Sequence, residues 1–140
     1  MPHCIETVPA KGEDAMKKIL IIDDSEHFLE LIHVRLASYG YENYIIARSG
    51  QEGLSKIDSE KLDIVVLNSK LFDMNGFSLC RKIKEISPTI KIILISGMVE
   101  KNDSEKARAA GADEHVVKTF DCLILIAAIK KVIYHLELAA

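Results

Sequence analysis

No apolar run in this sequence approaches the roughly 20 residues that a membrane-spanning helix needs. Basic residues are not in excess. The net charge is −3 at pH 7 and the isoelectric point is about 5.9. The electrostatic footprint of a nucleic-acid binder is therefore missing, and direct DNA binding by this chain is not expected. Cysteines are few, odd in number and far apart, at Cys4, Cys80 and Cys122, with no Cys-x-x-Cys pair. That argues against a disulfide framework and for a reduced, cytoplasmic protein. The five histidines, His3, His27, His33, His115 and His135, have no metal-ligand spacing. There is no internal repeat and no low-complexity segment. The stretch from Met1 to Ala15 has no continuous apolar core and carries Glu6, Glu13 and Asp14. It has the character of neither a signal peptide nor a transit peptide.

What is present is the composition of a globular domain, 49% hydrophobic and 28% charged over 140 residues. Residues 1–15, with two prolines, a glycine and no periodicity, read as a flexible leader. Residues 16–140 then form one domain. Ile19-Leu-Ile-Ile22 is a short continuous apolar run, as expected of a strand buried on both faces. Ser25 is placed to cap a helix from about Glu26 to Ser38, with Phe28, Leu31, Ile32 and Leu36 along its inward stripe and Gly40 after its end.

The alternation continues. Tyr44 to Ala47 reads as a second strand and Gln51 to Ile57 as a short helix with Leu54 and Ile57 inward. Ile64 to Leu67 reads as a third strand. Gly76 to Ile86 reads as a helix presenting Leu79, Cys80, Ile83 and Ile86, ended before Pro88. Ile90 to Ile95, a helix of about Ser104 to Ala110, Glu114 to Val117 and a last helix from about Asp121 to Leu136 complete the pattern. Strands and helices in strict alternation predict an α/β fold with one parallel sheet covered on both faces.

Polar residues stand at the ends of four of these strands. Asp23 and Asp24 follow the first, Asn68 the third, Ser96 the fourth and Lys118 the fifth. In a parallel sheet all these ends lie on one edge, where ligands bind. Each residue alone has an ordinary structural use as a cap, a turn former or a solvated charge. Together they make a pocket. Two carboxylates about 4 Å apart repel by on the order of 4 kcal/mol at an effective dielectric of 20, which a divalent cation relieves. Mg²⁺ suits such a site, and Lys118 and Ser96 are the donors a phosphoryl oxygen would need.

These blocks resemble the receiver domain of two-component response regulators, over roughly Lys17 to Ile133. The matching segments are Lys18-Ile-Leu-Ile-Ile22 with Asp23-Asp24, and Asp63-Ile-Val-Val-Leu67 with Met74-Asn-Gly76. They continue with Ile93-Leu-Ile-Ser96-Gly97, Ala109-Ala-Gly-Ala-Asp113 and Val117-Lys118 before Phe120. The resemblance implies a flavodoxin-like, doubly wound five-stranded sheet of order 2-1-3-4-5. It also implies metal-binding acids at Asp23 and Asp24, the phosphoacceptor place at Asn68, and a metal-ligating backbone carbonyl at Lys70. Ser96, His115 and Lys118 fall at the phosphate-sensing and switch positions. His115 reads in the first place as a semi-exposed packing residue, since no nucleophile is evident beside it.

Three departures from the family pattern bear on function. Asn68 stands in place of aspartate, and an amide cannot form the acyl phosphate that a carboxylate can. It is either native, in a degenerate site, or a substituted aspartate. Weak or absent Mg²⁺ binding and no normal phosphorylation are expected there. Thr119 stands in place of proline, so the Lys118–Thr119 bond is expected to be trans. Phe72 replaces another proline, and a more mobile loop is expected.

The function so implied is that of a phosphorelay receiver module with an altered acceptor, partnered by a sensor histidine kinase or phosphotransfer protein. The alternative is a phosphorylation-independent pseudo-receiver kept for dimerisation or docking. A Mg²⁺-dependent phosphatase comes third and lacks a nucleophile at residue 68. The last helix is apolar nearly all round. Leu125, Ile129, Val132 and Ile133 suit its core stripe, and Leu123 and Ile124 are either covered by loops or open to a homodimer or partner contact involving the fourth helix, fifth strand and last helix.

Overall fold

A computed structural model gives the structure of the chain, and Gly12 and residues 16–139 are described. The sheet contains β1 (Ile19–Ile22), β2 (Tyr44–Ala47), β3 (Ile64–Asn68), β4 (Lys91–Ser96) and β5 (Glu114–Val117). The helices are α1 (Glu26–Ser38), α2 (Gly50–Ser59), α3 (Gly76–Ile86), α4 (Asp103–Ala109) and α5 (Leu123–Ala139). All strand pairs are parallel and the order is β2-β1-β3-β4-β5. The fold expected from the sequence is the one found.

Period-two alternation along the strands divides the core into two layers. Ile19, Ile21, Ile64, Val66, Ile93 and Ile95 face α1 and α5. Leu20, Ile22, Val65, Leu67, Ile92 and Leu94 face α2, α3 and α4. Every residue of β1 and β3 is buried, which is why those strands read as unbroken apolar runs. Side-chain caps start three helices. Ser25 accepts from Phe28 N, Ser49 from Glu52 N, and Asn75 from both Phe77 N and Ser78 N. Each such cap contributes about 1 kcal/mol.

The register decides where the strand ends meet. Ile22 pairs with Leu67, so Asp23 and Asn68, the next residues, are neighbours. Asn68 pairs with Ile95 and Ser96 with Val117, so Ser96 and Lys118 follow along the same edge.

Some boundaries and faces differ from the sequence expectation. Leu29, not Leu31, completes the buried stripe of α1, while Leu31 is half-buried. With about 100° per residue, Leu29 falls on the same side as Ile32 and Leu36, and Leu31 falls at the margin. Ile86 is 52% exposed because it ends α3, beyond the sheet. The last helix starts at Leu123 rather than about Asp121. Cys122 adopts φ 60°, which no helix accepts, and the Asp121 carboxylate instead accepts from Leu123 N at 3.1 Å. The flexible leader expected over residues 1–15 lies, apart from Gly12, outside the described residues.

Candidate functional site

The carboxyl edge of the sheet brings Asp23, Asn68 and Lys118 into one contact set. Asp23 is fully buried. Its Oδ1 accepts from Ser25 N at 2.8 Å and from the Asn68 side-chain amide at 3.4 Å. Its Oδ2 lies 2.9 Å from Lys118 Nζ. The Lys118 ammonium also sits 4.4 Å from the centre of the Phe28 ring, whose π face attracts it. Phe28 is buried on α1, so that helix fixes the lysine from below. The orientation of the Asn68 amide follows from charge. An N–H facing the Asp23 carboxylate is attracted, and a carbonyl oxygen there would be repelled. The Asn68 oxygen in turn accepts from Lys70 N at 3.4 Å.

Asp24 is half-buried and turned toward the β3–α3 loop, where its Oδ2 accepts from Phe72 N at 2.7 Å. That loop is tied at further points. Lys70 and Asn75 form an antiparallel bridge across it. Asp73 accepts from Gly50 N at 2.9 Å and Gln51 N at 3.0 Å, capping α2 from outside the helix. The Gly50 hydrogen bond, foremost, holds the Asp73 carboxyl below the ordinary aspartate value. The contacts of Asp24, Lys70 and Asp73 thus hold a loop that lacks the family's proline. The Phe72 ring itself is 77% exposed. Among the described residues every peptide bond is trans, Lys118–Thr119 included, as expected.

A second set runs away from the acids. Ser69 Oγ is 2.8 Å from Ser96 Oγ, and Ser96 Oγ is 3.0 Å from His115 Nε2. Ser69 and Ser96 are buried and His115 is half-buried, with its ring edge-on to Phe77 at 6.3 Å. The expectation that no nucleophile adjoins His115 is corrected here, since a hydroxyl is bonded to its ring. Ser96 is only 1% exposed, so no substrate reaches that hydroxyl.

The structure therefore brings Asp23, Asn68 and Lys118 together, and it joins Ser96 to His115. Asp24 and Lys70 stand at the rim, each engaged with the loop. Ser69 and Asp73 were not singled out from the sequence, and Phe28 was not singled out for the site. Ser69 was hidden as one of several polar residues in a turn. Asp73 acts on a distant helix, which no local pattern reveals. Phe28 carried only the signal of a core residue.

Chemically, the set is closed on itself. Asp23 has its charge met by an ammonium and its Oδ1 met by two N–H donors. Among the described residues, Asp23 and Asp24 are the carboxylates that stand at the pocket. Among the described residues no group of three or more His, Cys, Asp or Glu side chains is placed to hold a metal ion. Mg²⁺ asks for anionic and neutral oxygens, whereas here an amide N–H and an ammonium face the buried carboxylate. The residues present do not fit that ion without rearrangement.

The response regulator receiver domain family model matches residues 19–130. The alkaline phosphatase synthesis transcriptional regulatory protein PhoP of Bacillus subtilis is 31% identical over 124 residues, which are 89% of this chain and 51% of that protein. Response regulator ArlR of Staphylococcus aureus is 32% identical over 120 residues, 84% of this chain and 53% of that protein. The chain thus spans about half the length of these curated relatives. Among solved structures, a CheY-like receiver domain protein from Methanospirillum hungatei superposes with a TM-score of 0.81 at 32% identity, covering 89% of this chain and 98% of that one. The response regulator TrrA of Thermotoga maritima, solved in complex with Mg(2+)-BeF, gives 0.75 at 33% identity, covering 84% of this chain and 99% of that one.

Proposed function

Because the chain belongs to the response regulator receiver domain family, we propose that it is a signalling module of two-component type whose pocket works without phosphoryl transfer to residue 68. In this reading residues 16–140 are the receiver, and Asn68 occupies the phosphoacceptor place. Asp23, Asp24 and the Lys70 carbonyl occupy the metal-ligand places. Ser96, His115 and Lys118 occupy the sensing places.

The observation that carries the proposal is the contact between Asn68 and Asp23, with Lys118 closing the other carboxylate oxygen. An aspartate at 68 would put a third negative charge beside Asp23 and Asp24. The amide removes that charge and supplies a donor instead. The pocket then has no carboxylate at the acceptor place, and its buried acid is neutralised by protein groups. Mg²⁺ binding is weak or absent in this reading, and no step depends on it. The Mg²⁺-dependent phosphatase reading has no support, because the position that would carry its nucleophile is an amide.

Signalling then depends on contacts. A sensor histidine kinase or phosphotransfer protein is the partner class that family membership supports. A homodimer through α4, β5 and α5 is the second contact, with Ile124, 44% exposed, at its centre and Leu123 beside it.

The test is chemical. Incubated with a small phosphodonor and Mg²⁺, the chain is expected to show no mass gain of one phosphoryl group. Asn68→Asp is expected to gain it as a hydroxylamine-labile acyl phosphate. A hydroxylamine-labile adduct on the unsubstituted chain would overturn the proposal.

A further inference from the structure

On the α3–α4 side of the sheet, beside but outside the Asp23–Asn68–Lys118 set, lies an open groove of about 440 Å³. The small side chain of Ser69 lets it reach down to the end of β3. Arg81 on α3 and Lys106 on α4 line it, and both are exposed. Among the described residues neither has a carboxylate partner. Lys106 lies only 6.0 Å from the centre of the Phe77 ring. A guanidinium and an ammonium sharing one groove suit a phosphate group, the guanidinium through two parallel N–H bonds.

The rest of the lining is polar and suits hydroxyls. Asn75 uses its Oδ1 to cap α3, from Phe77 N at 2.8 Å and Ser78 N at 3.1 Å, so its two amide hydrogens are left as donors. Ser78 is exposed beside it. Glu100, 3.5 Å from Lys70, offers carboxylate oxygens as acceptors. Asp103 is turned inward, its Oδ2 accepting from Glu100 N at 2.7 Å, so its charge does not face an incoming anion. Phe77 is the only aromatic ring in the lining. Apolar ligands want a mostly apolar pocket, and a bare anion would not need the hydroxyl partners.

We propose that this groove between α3 and α4 binds a phosphorylated sugar, with Arg81 and Lys106 on the phosphate and Asn75, Ser78 and Glu100 on the hydroxyls. Ser69 gives the site a route to the rest of the domain. It is bonded to Ser96, which is bonded to His115 on β5. Ser69 is itself buried, so a ligand packed against it displaces the Ser69–Ser96–His115 chain rather than taking its hydroxyl. The groove stands whether or not Asn68 accepts a phosphoryl group, because it uses none of the Asp23 contacts.

The experiment is a titration of the ¹⁵N-labelled full chain, followed by amide shifts. The probes are glucose 6-phosphate, ribose 5-phosphate and glycerol 3-phosphate, with inorganic phosphate and glucose alongside. At least one sugar phosphate is expected to give saturable shifts at Ser69, Ser78 and His115, with dissociation constants of roughly 1 mM or tighter. Inorganic phosphate is expected to bind about tenfold more weakly, and glucose not at all. Arg81→Glu combined with Lys106→Glu is expected to weaken the sugar phosphate at least roughly tenfold at an unchanged thermal midpoint, since both side chains are exposed. Three results each overturn the proposal. One is no saturable shift with any of the three probes up to about 10 mM. Another is binding retained in the charge-reversed variant. The third is inorganic phosphate binding as tightly as every sugar phosphate.

Discussion

Lys118 Nζ lies 2.9 Å from Asp23 Oδ2, a charge contact that links the end of the fifth strand to the end of the first. Asp23 is wholly buried, and the Lys118 side chain keeps only 19% of its exposure. At an effective dielectric of 20 the attraction is about 6 kcal/mol, most of it offset by the desolvation of both groups. Removing one partner is costlier than removing both. Lys118→Met leaves the buried carboxylate with neutral donors only. It is expected to lower unfolding stability by about 2–3 kcal/mol, read as a lower urea midpoint at unchanged slope. Adding Asp23→Asn should restore part of that loss. A Lys118→Met variant as stable as the parent would mean that the contact contributes nothing.

The last helix offers a paired test of the dimer contact. Ile124 is 44% exposed, whereas Leu123 is half-buried and packs on the α1–α5 layer of the core. Ile124→Glu is expected to convert a dimer to monomer in light scattering with a stability change within about 0.5 kcal/mol. Leu123→Glu is expected to lower stability by about 1–2 kcal/mol, because it puts a charge against apolar neighbours. Identical behaviour of the two variants would contradict this division of roles. A dimer intact in Ile124→Glu would remove the interface.

Asp73 gives the fold a pH dependence on the acid side. Its carboxylate is held below the ordinary value of 3.8, first by the Gly50 N–H and further by Gln51 N–H. A carboxylate whose folded pKa is depressed contributes stability that is complete above its unfolded value. That contribution fades as pH falls through the folded value. The stability gap between the parent and Asp73→Ala should therefore be full at about pH 7 and should narrow as pH falls below the ordinary aspartate value of 3.8. Urea unfolding across that range measures it. A gap independent of pH would assign the effect to packing.

Much of the fold was legible because β1 and β3 are buried on both faces and so are written as unbroken apolar runs. The pocket acids and Lys118 were legible because a strand end exposes a polar residue at a position that the strand itself fixes. Three things were not legible, and each is a three-dimensional matter. Leu29 displaced Leu31 in the core because the sheet selects which edge of a broad apolar face it covers. The start of α5 moved to Leu123 because Cys122 adopts a left-handed backbone, a conformation that its residue type does not announce. Ser69 joined Ser96 through the register of β3 and β4, which a single strand cannot specify. The consequence of asparagine at 68 lay between these. The loss of a nucleophile follows from the residue type, but the amide's role as donor to Asp23 needs the geometry.

Gly76 tests whether the position of Asn68 depends on the start of α3. A Cβ placed on Gly76 would lie 2.3 Å from the Asn68 carbonyl oxygen, 2.5 Å from Ser69 Cα and 2.8 Å from the Ser69 carbonyl carbon. All three are backbone atoms, so no side chain can rotate away. Gly76 N also donates to Ser69 O at 2.9 Å, a bond that a shifted helix would lose. Gly76→Ala must therefore move the first turn of α3 off the end of β3. The expected loss is about 2–3 kcal/mol, or on the order of 10 °C in the thermal midpoint. Gly97→Ala is the control, because a Cβ there meets nothing within 4 Å. Its midpoint should be unchanged. If α3 pins the strand end, Gly76→Ala also stretches the 2.8 Å contact between Ser69 and Ser96 and shifts the His115 imidazole resonances. A lowered midpoint with unchanged His115 resonances would mean that the hydroxyl chain is set by the sheet alone. A midpoint equal to that of the Gly97 control would mean that the helix yields without strain.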